Sequence, residues 1–295
     1  MKYLNCKFLT LAVFALSLCR VSVAQNDNEF HLDETYPMSQ TGKLWMDPED
    51  AEVTIIGSKR SDVRIKVDRI EDVKALTSSS RKFSVDVDVK GGDIFFKERE
   101  DNGGYFIGSV SLDYKILIEL PENASIIVRS DDSDFKVVNV NGSIDMSLDD
   151  GDAQLTQCSG DRFDFDMDDG DISLDGGRGE IYARIDDGDI TITRGAFDDV
   201  EIRSDDGSIS LETSLSDNGT YQLFGDDARI ELTILSGGGD IIIDGDDTSI
   251  RATGDFREVD SSESRSVYSL PNGKARVKIR TDDGRVRIQT SSRKL

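Results

Sequence analysis

The sequence predicts an all-β chain whose main body is a parallel β-solenoid, a flattened β-helix of about 18–20 residues per coil, with an N-terminal antiparallel β cap. Three observations lead there. An acidic turn, Asp-Asp-Gly-Asp, stands at Asp149-Asp150-Gly151-Asp152, at Asp168-Asp169-Gly170-Asp171 and at Asp186-Asp187-Gly188-Asp189. Looser copies begin at Asp131, Asp205, Asp226, Asp246 and Asp282, so successive first-Asp spacings are 18, 19, 18, 19, 21, 20 and 36, the last being twice 18. Apolar residues alternate with polar ones on both sides of each turn, the period of a half-buried strand. Such a unit cannot bury its apolar face alone; stacking coils about 4.8 Å apart is what makes a core.

Residues 1–24 have the form of a secretory signal. Lys2 and Lys7 give a positive start, residues 8–19 an apolar run too short to span a bilayer, and Ser22-Val23-Ala24 a small-residue cleavage site. A lipoprotein would use Cys19, although Leu18 suits the position before a lipidated Cys poorly. No later stretch is apolar enough for a transmembrane helix. Residues 25–41, which hold the chain's only His, His31, read as a flexible lead-in.

Alternation sets in at Gly42. Val53 and Ile55, then Val63, Ile65 and Val67, read as strands about a turn at 57–62. Phe83, Val85, Val87 and Val89 give another, and Gly91-Gly92 turns the chain into Ile94-Phe95-Phe96. Asn102-Gly103-Gly104 is a hairpin signal, because Asn and Gly tolerate left-handed turn positions. Tyr114, Ile116, Ile118 and Leu120 run up to Pro121. Residues 42–120 are thus expected as the β cap and 121–290 as the solenoid.

Aligned on the acidic turn, the coils form four inward columns. Two precede it: Ile126, Ile144, Phe163, Ile181, Val200, Tyr221, Ile241, and Val128, Met146, Phe165, Ala183, Ile202, Leu223, Ile243. Two follow it: Phe135, Ala153, Ile172, Ile190, Ile209, Ile230, Ile250, and Val137, Leu155, Leu174, Ile192, Leu211, Leu232, Ala252. Residues 253–273 break the pattern with a polar run at 260–266 and read as a degenerate coil with a loop. In the last coil, Val277, Ile279, Val286 and Ile288 alternate with Arg276, Lys278, Arg280, Arg285 and Arg287. That basic face suits a terminal edge, where charge discourages end-to-end pairing.

Composition narrows the function. The formal net charge is −24, and it argues against nucleic acid, whose phosphates need clustered Lys and Arg. Residues 121–250 carry 33 acids and 8 basic residues, whereas residues 271–295 carry 2 and 8, so the molecule is expected to be electrically polar along its length. With Cys6 and Cys19 in the signal, Cys158 stands alone and no internal disulfide framework is possible. Cys158 aligns with Val140 and is expected to plug an apolar corner; its acidic surroundings do not favour a reactive thiolate. Trp45 is expected to pack in the cap, a surface patch of Trp45, Tyr105 and Phe106 being the alternative.

Taken together, these features resemble a bacterial envelope family of adhesin-like β-strand-repeat domains of unknown function. The resemblance covers roughly residues 42–290 and rests on the signal, the lead-in ending at Leu120-Pro121, and Gly-Asp turns such as Gly170-Asp171-Ile172. It implies an extracytoplasmic β-solenoid and supplies no catalytic residues.

The acidic turns have a plain explanation, since Asp and Gly are turn formers and a solenoid repeats its corner in every coil. A sharper one is metal binding. Stacked Asp columns about 4.8 Å apart repel by about 0.9 kcal/mol per pair even at the dielectric of water, and a hard cation such as Ca²⁺ would relieve this. Asp168, Asp171, Asp186 and Asp189 are the first candidates. Asp171 and Asp189 directly precede an apolar residue, unlike the Asp of glycine-rich Ca²⁺ repeats. A carbohydrate-active enzyme built on a carboxylate pair is a third possibility. Against it, Asp recurs at every coil, whereas an active site breaks a repeat at one place. The expectation is therefore a non-enzymatic, exported scaffold or binding module, periplasmic or at the cell surface, with an envelope protein or a glycan as partner and no cofactor unless Ca²⁺.

Overall fold

The computed structural model describes residues 28–77, 82–101 and 107–291. The expected signal with Cys19, the Asn102-Gly103-Gly104 turn, Tyr105 and Phe106 lie outside the described residues.

Much of the segment expected as a flexible lead-in is strand β1 (Glu29–Pro37). It pairs antiparallel with β4 (Asp62–Thr77), from Glu29↔Ile70 to Pro37↔Asp62, with β2 (Lys43–Asp47) and β3 (Glu52–Ser58) lying between them in the chain. The correction has a simple cause: Phe30, Leu32 and Tyr36 alternate along β1 and pack on the core from one side. β5 (Lys82–Lys90) and β6 (Asp93–Asp101) form an antiparallel pair, as do β4 and β7 (Ile107–Pro121). That much of the cap is as expected.

β2 and β3 are different. β2 pairs parallel with β6 on one side and with β8 (Ser125–Asp132) on the other; β3 pairs parallel with β7 and with β9 (Asp134–Val138). The first coil in the chain is therefore intercalated between the second and the third. Side chains stitch its corners to the next coil: the Ser130 hydroxyl donates to Pro48 O (2.7 Å), Asn139 Nδ2 donates to Gly57 O (2.8 Å), and Ser133 Oγ accepts the Ala51 N–H (3.1 Å).

From Ser125 the chain stacks in its own order. β10 (Ile144–Asp150) and β11 (Ala153–Cys158) lie on β8 and β9 and beneath β12 (Arg162–Asp169) and β13 (Ile172–Gly176). β14 (Arg178–Ser214) runs through two whole coils, and β15 (Thr220–Ser236) supplies both walls of the next. The predicted columns are in register here: Ile126, Ile144, Phe163 and Ile181 are successive partners, as are Val137, Leu155, Leu174 and Ile192. Nearly every inward residue is fully buried, and each such Leu, Ile or Phe contributes about 1.5–3 kcal/mol. Cys158 is one of the buried residues; burial pushes its thiol up, and it serves as a corner plug.

The C-terminal end repeats the intercalation. After β16 (Gly239–Asp244) and β17 (Ser249–Thr253), the segment expected as a degenerate coil forms an antiparallel hairpin, β18 (Arg257–Ser261) and β19 (Arg265–Leu270), with β19 laid antiparallel on β16. The chain then returns. β20 (Ala275–Thr281) fits between β15 and β16, and β21 (Arg285–Thr290) between β15 and β17. The basic coil is thus no terminal edge but the penultimate layer: Val277 separates Tyr221 from Ile241, and Ile288 separates Leu232 from Ala252. Electrostatics favours this place, since Arg276 and Arg280 lie opposite Asp240 and Asp244, and Arg287 bonds Glu231 (3.2 Å). Buried Thr281 ties the layer in, donating to Asp226 O (2.8 Å) and accepting at its carbonyl from Thr248 (3.1 Å).

Candidate functional site

Each acidic turn is the corner at which the chain passes from one wall of the solenoid to the other. Its glycine is demanded twice. Gly170 and Gly188 have φ of +123° and +140°, where an L side chain is strained, and a Cβ on Gly188 would stand 1.9 Å from the Gly170 carbonyl oxygen in the coil beside it.

The fourth residue does more than turn the chain. Asp134 Oδ1 accepts the backbone N–H of Asp152 (3.0 Å), Asp152 Oδ1 that of Asp171 (3.0 Å), and Asp171 Oδ1 that of Asp189 (2.9 Å). Asp189 ends the series by accepting from both the N–H (2.9 Å) and the hydroxyl (2.7 Å) of Ser208. This is a carboxylate ladder along the stacking axis, a set of charge-assisted bonds between coils rather than local turn bonds. The sequence shows this Asp at four successive periods, 134, 152, 171 and 189, but a bond from one coil to the next has no signature beyond the period itself.

Of the four metal candidates, then, Asp171 and Asp189 spend one carboxylate oxygen on the next coil. Asp186 accepts from Arg184 (3.4 Å), and Asp168 is exposed at the turn's first position. The second positions are in register, Asp132 to Asp150 to Asp169 to Asp187, and form an outward acidic column. Among the described residues, no three His, Cys, Asp or Glu side chains converge as a ready metal site.

Where the first corners meet cap strand β7, the surface opens into a cleft of about 700 Å³. Asp50, Glu52, Asp113, Asp132, Asp134 and Asp150 line it, with Lys115 as the lone cation and Tyr114 and Leu112 as its apolar part. Behind it the Tyr114 hydroxyl donates to Glu98, whose other oxygen accepts the Glu49 N–H (3.3 Å). Burial pushes the Glu98 carboxyl up to about 7, against the opposing effect of its hydrogen bonds. Arg69, also buried, bridges Glu71 (2.5 Å) and Glu100 (3.6 Å) and lies over the Phe83 ring (4.3 Å). With both oxygens of Glu98 engaged, this cluster ties the cap strands β4 to β7 to one another and, through Glu49, to the inserted first coil. His31 bonds Asp68 (2.9 Å) on the exposed side of β1 and β4.

Trp45 is where the expectation of cap packing fails. It stands on the outer face, 39 % exposed, between inward Leu44 and Met46. That alternation was open to reading in the sequence; its neighbour Phe95, brought alongside by the intercalated strand, was not.

A family model described as Toastrack DUF4097 matches residues 42–289. No curated protein shows a significant match. Among solved structures, a candidate adhesin from Parabacteroides distasonis is 11% identical with a TM-score of 0.49, covering 89% of this chain and 97% of that one. A candidate cell adhesion protein from Clostridium sporogenes is 12% identical, covering 89% and 100%, with a TM-score of 0.31. A candidate lipid binding protein from Parabacteroides distasonis is 12% identical, covering 89% and 97%, with a TM-score of 0.30.

Proposed function

The chain belongs to the Toastrack DUF4097 family, and from that premise we propose that it is a non-enzymatic binding scaffold of the bacterial envelope, exported to the periplasm or the cell surface. The observation that carries this reading is the set of straight outward columns. Registered strands hold side chains at a fixed pitch along both walls, and the carboxylate ladder and interleaved ends keep that pitch rigid. A surface of this kind binds by extended complementarity and needs no deep pocket. Export is supported by the leader read in residues 1–24, and no helix of the described residues is long and apolar enough to cross a membrane.

Fractionating cells that express the full chain tests the location: recovery with the envelope is the expected result, and recovery in the cytoplasm with its leader uncleaved would contradict it. Retention of the purified protein on isolated envelopes, over a like-charged control protein, tests binding.

A Ca²⁺-dependent form of this reading rests on the cleft, where six carboxylates face one lysine. It predicts that millimolar Ca²⁺ raises the melting midpoint relative to chelator, through preferential binding to the folded state, and that Asp132→Asn with Asp150→Asn reduces the rise. Equal midpoints in Ca²⁺ and chelator would remove it.

A further inference from the structure

On a wall whose outward positions are otherwise largely polar, three strands in a row break the pattern at one position. Trp45 on β2 is in register with Phe95 on β6 and with Ile127 on β8. One coil further the same column reads Asp145, and after it Asp164. The Trp45 and Phe95 rings are parallel within 8°, with centroids 6.1 Å apart, and Lys90 Nζ lies over the Phe95 ring at 5.0 Å. Nothing in solenoid packing requires apolar residues there, because the inward neighbours Leu44, Met46, Ile94, Phe96, Ile126 and Val128 already fill the core. A local rule broken without structural return marks a functional place.

Beside these three residues runs a groove of about 270 Å³, floored by the backbone at Met46 and Phe96, whose side chains point into the core. Its opposite wall is Lys97, Asp47 and Arg129. Asp47 is the register partner of Lys97, and Arg129 is steadied by Asp145 (2.7 Å) on the next coil. One wall is thus aromatic and aliphatic, and the other alternates donor, acceptor and donor.

The geometry points to a neutral glycan, one or two pyranose rings at a time, as the occupant. A sugar ring offers weakly polarised C–H groups to the negative face of an aromatic ring, while its hydroxyls both donate and accept. An anion would call for donors only and a cation for acceptors only; Asp47 between Lys97 and Arg129 suits neither. A protein partner needs about 800 Å² per side, yet the apolar strip is three residues long and runs out into Asp145 and Asp164. A groove near the small end of ordinary ligand sites, typically about 300–1,000 Å³, suits one or two rings. This inference rests on the binding-scaffold reading and names its partner class and its site.

Trp45 is the chain's only tryptophan, so its emission reports on this groove alone. Purified full chain titrated with chitohexaose, cellohexaose and maltohexaose to about 10 mM is expected to give a saturable shift in Trp45 emission with at least one of them. By calorimetry, Trp45→Ala is expected to weaken that binding by about tenfold or more, and Asp47→Ala by about threefold or more. Both residues lie on the outer face, so melting midpoints check that the fold is kept. No saturable shift with any of the three sugars, or calorimetric binding unchanged in both variants, overturns the proposal. A parallel arm measures retention on isolated envelopes. Retention that survives Trp45→Ala keeps the scaffold reading and sinks this one; sugar binding without envelope retention does the reverse.

Discussion

The middle of the solenoid and its two ends obey different rules. Between Ser125 and Ser236 each coil lies on the one before it in the chain, so stacking order and sequence order coincide. At both ends they diverge: the coil of β2 and β3 enters between later coils, and the coil of β20 and β21 enters between earlier ones. Antiparallel strands then cover the outer layers, β4 and β5 at one end and β19 at the other. In the middle, contacts are only between nearest neighbours in sequence, and cohesion is local. Each end is a staple that joins distant segments, and loss of its inserted coil leaves a gap one strand wide in each wall.

The strongest way to break this comparison is to remove one coil from each region. Excising residues 168–185 joins Met167 to Asp186 and deletes one period of 18, and it is expected to give a shorter, folded rod by circular dichroism. Truncation after Leu270 takes away β20 and β21, exposes Tyr221, Leu223, Ile230 and Leu232 along one edge, and is expected to abolish cooperative unfolding of the C-terminal half. Equal tolerance of both deletions would erase the distinction. A milder cut at the same place is Ile279→Ala. Ile279 is fully buried between Leu223 and Ile243, and the change is expected to cost about 2–5 kcal/mol in denaturant unfolding.

The N-terminal staple has a pH signature of its own. Glu98 titrates near 7 when folded against about 4.5 when unfolded, so between these values the folded state holds more protons. Stability from this carboxyl is present below about 4.5 and is lost as pH rises through 7, by an amount of order 3 kcal/mol. Glu98→Gln is expected to flatten the fall in denaturant midpoint between pH 5 and pH 8; an unchanged slope would place the cause elsewhere.

In the middle the effects are smaller and additive. Asp171→Ala removes one rung of the ladder and hands the exposed Asp189 N–H to water, at a cost of about 0.5–1.5 kcal/mol. Asp171→Asn keeps the acceptor and removes a charge from an acidic column, so its midpoint is expected to equal or exceed that of the parent. A loss in Asn as large as in Ala would mean that the charge, and not the bond, matters.

The same contrast explains what could be read from the chain. Ile126, Ile144, Phe163 and Ile181 form one column in sequence and structure alike, because periodicity reports nearest-neighbour stacking, and there the neighbour is the previous coil. Ile241 keeps its expected column but not its expected neighbour, since Val277 comes between it and Tyr221. Period alone cannot reveal a strand that returns after some thirty residues. The basic residues from Arg276 to Arg287 were a real signal, read as an edge that repels partners when they are an inserted layer facing Asp240, Asp244 and Glu231. Spacing marks Asp171 as a metal candidate, and the structure gives it a hydrogen-bonding task that spacing cannot disclose. The Trp45–Phe95 contact was hidden for the same reason as the end topology, because it exists only across the inserted strand.

One measurement tests the end topology directly. With Cys6, Cys19 and Cys158 replaced by alanine, Cys pairs are introduced at Gln222 with Lys278 and, separately, at Gln222 with Ile242. Gln222 and Lys278 are register partners on adjacent strands, about 4.8 Å apart, whereas Gln222 and Ile242 are separated by β20 and lie about twice as far apart. Disulfides form at Cα separations of about 4.4–6.8 Å, so mild oxidation is expected to cross-link the first pair and leave the second as free thiols. Cross-linking of 222 to 242 but not to 278 would mean that the coils stack in chain order and that the C-terminal end is not interleaved.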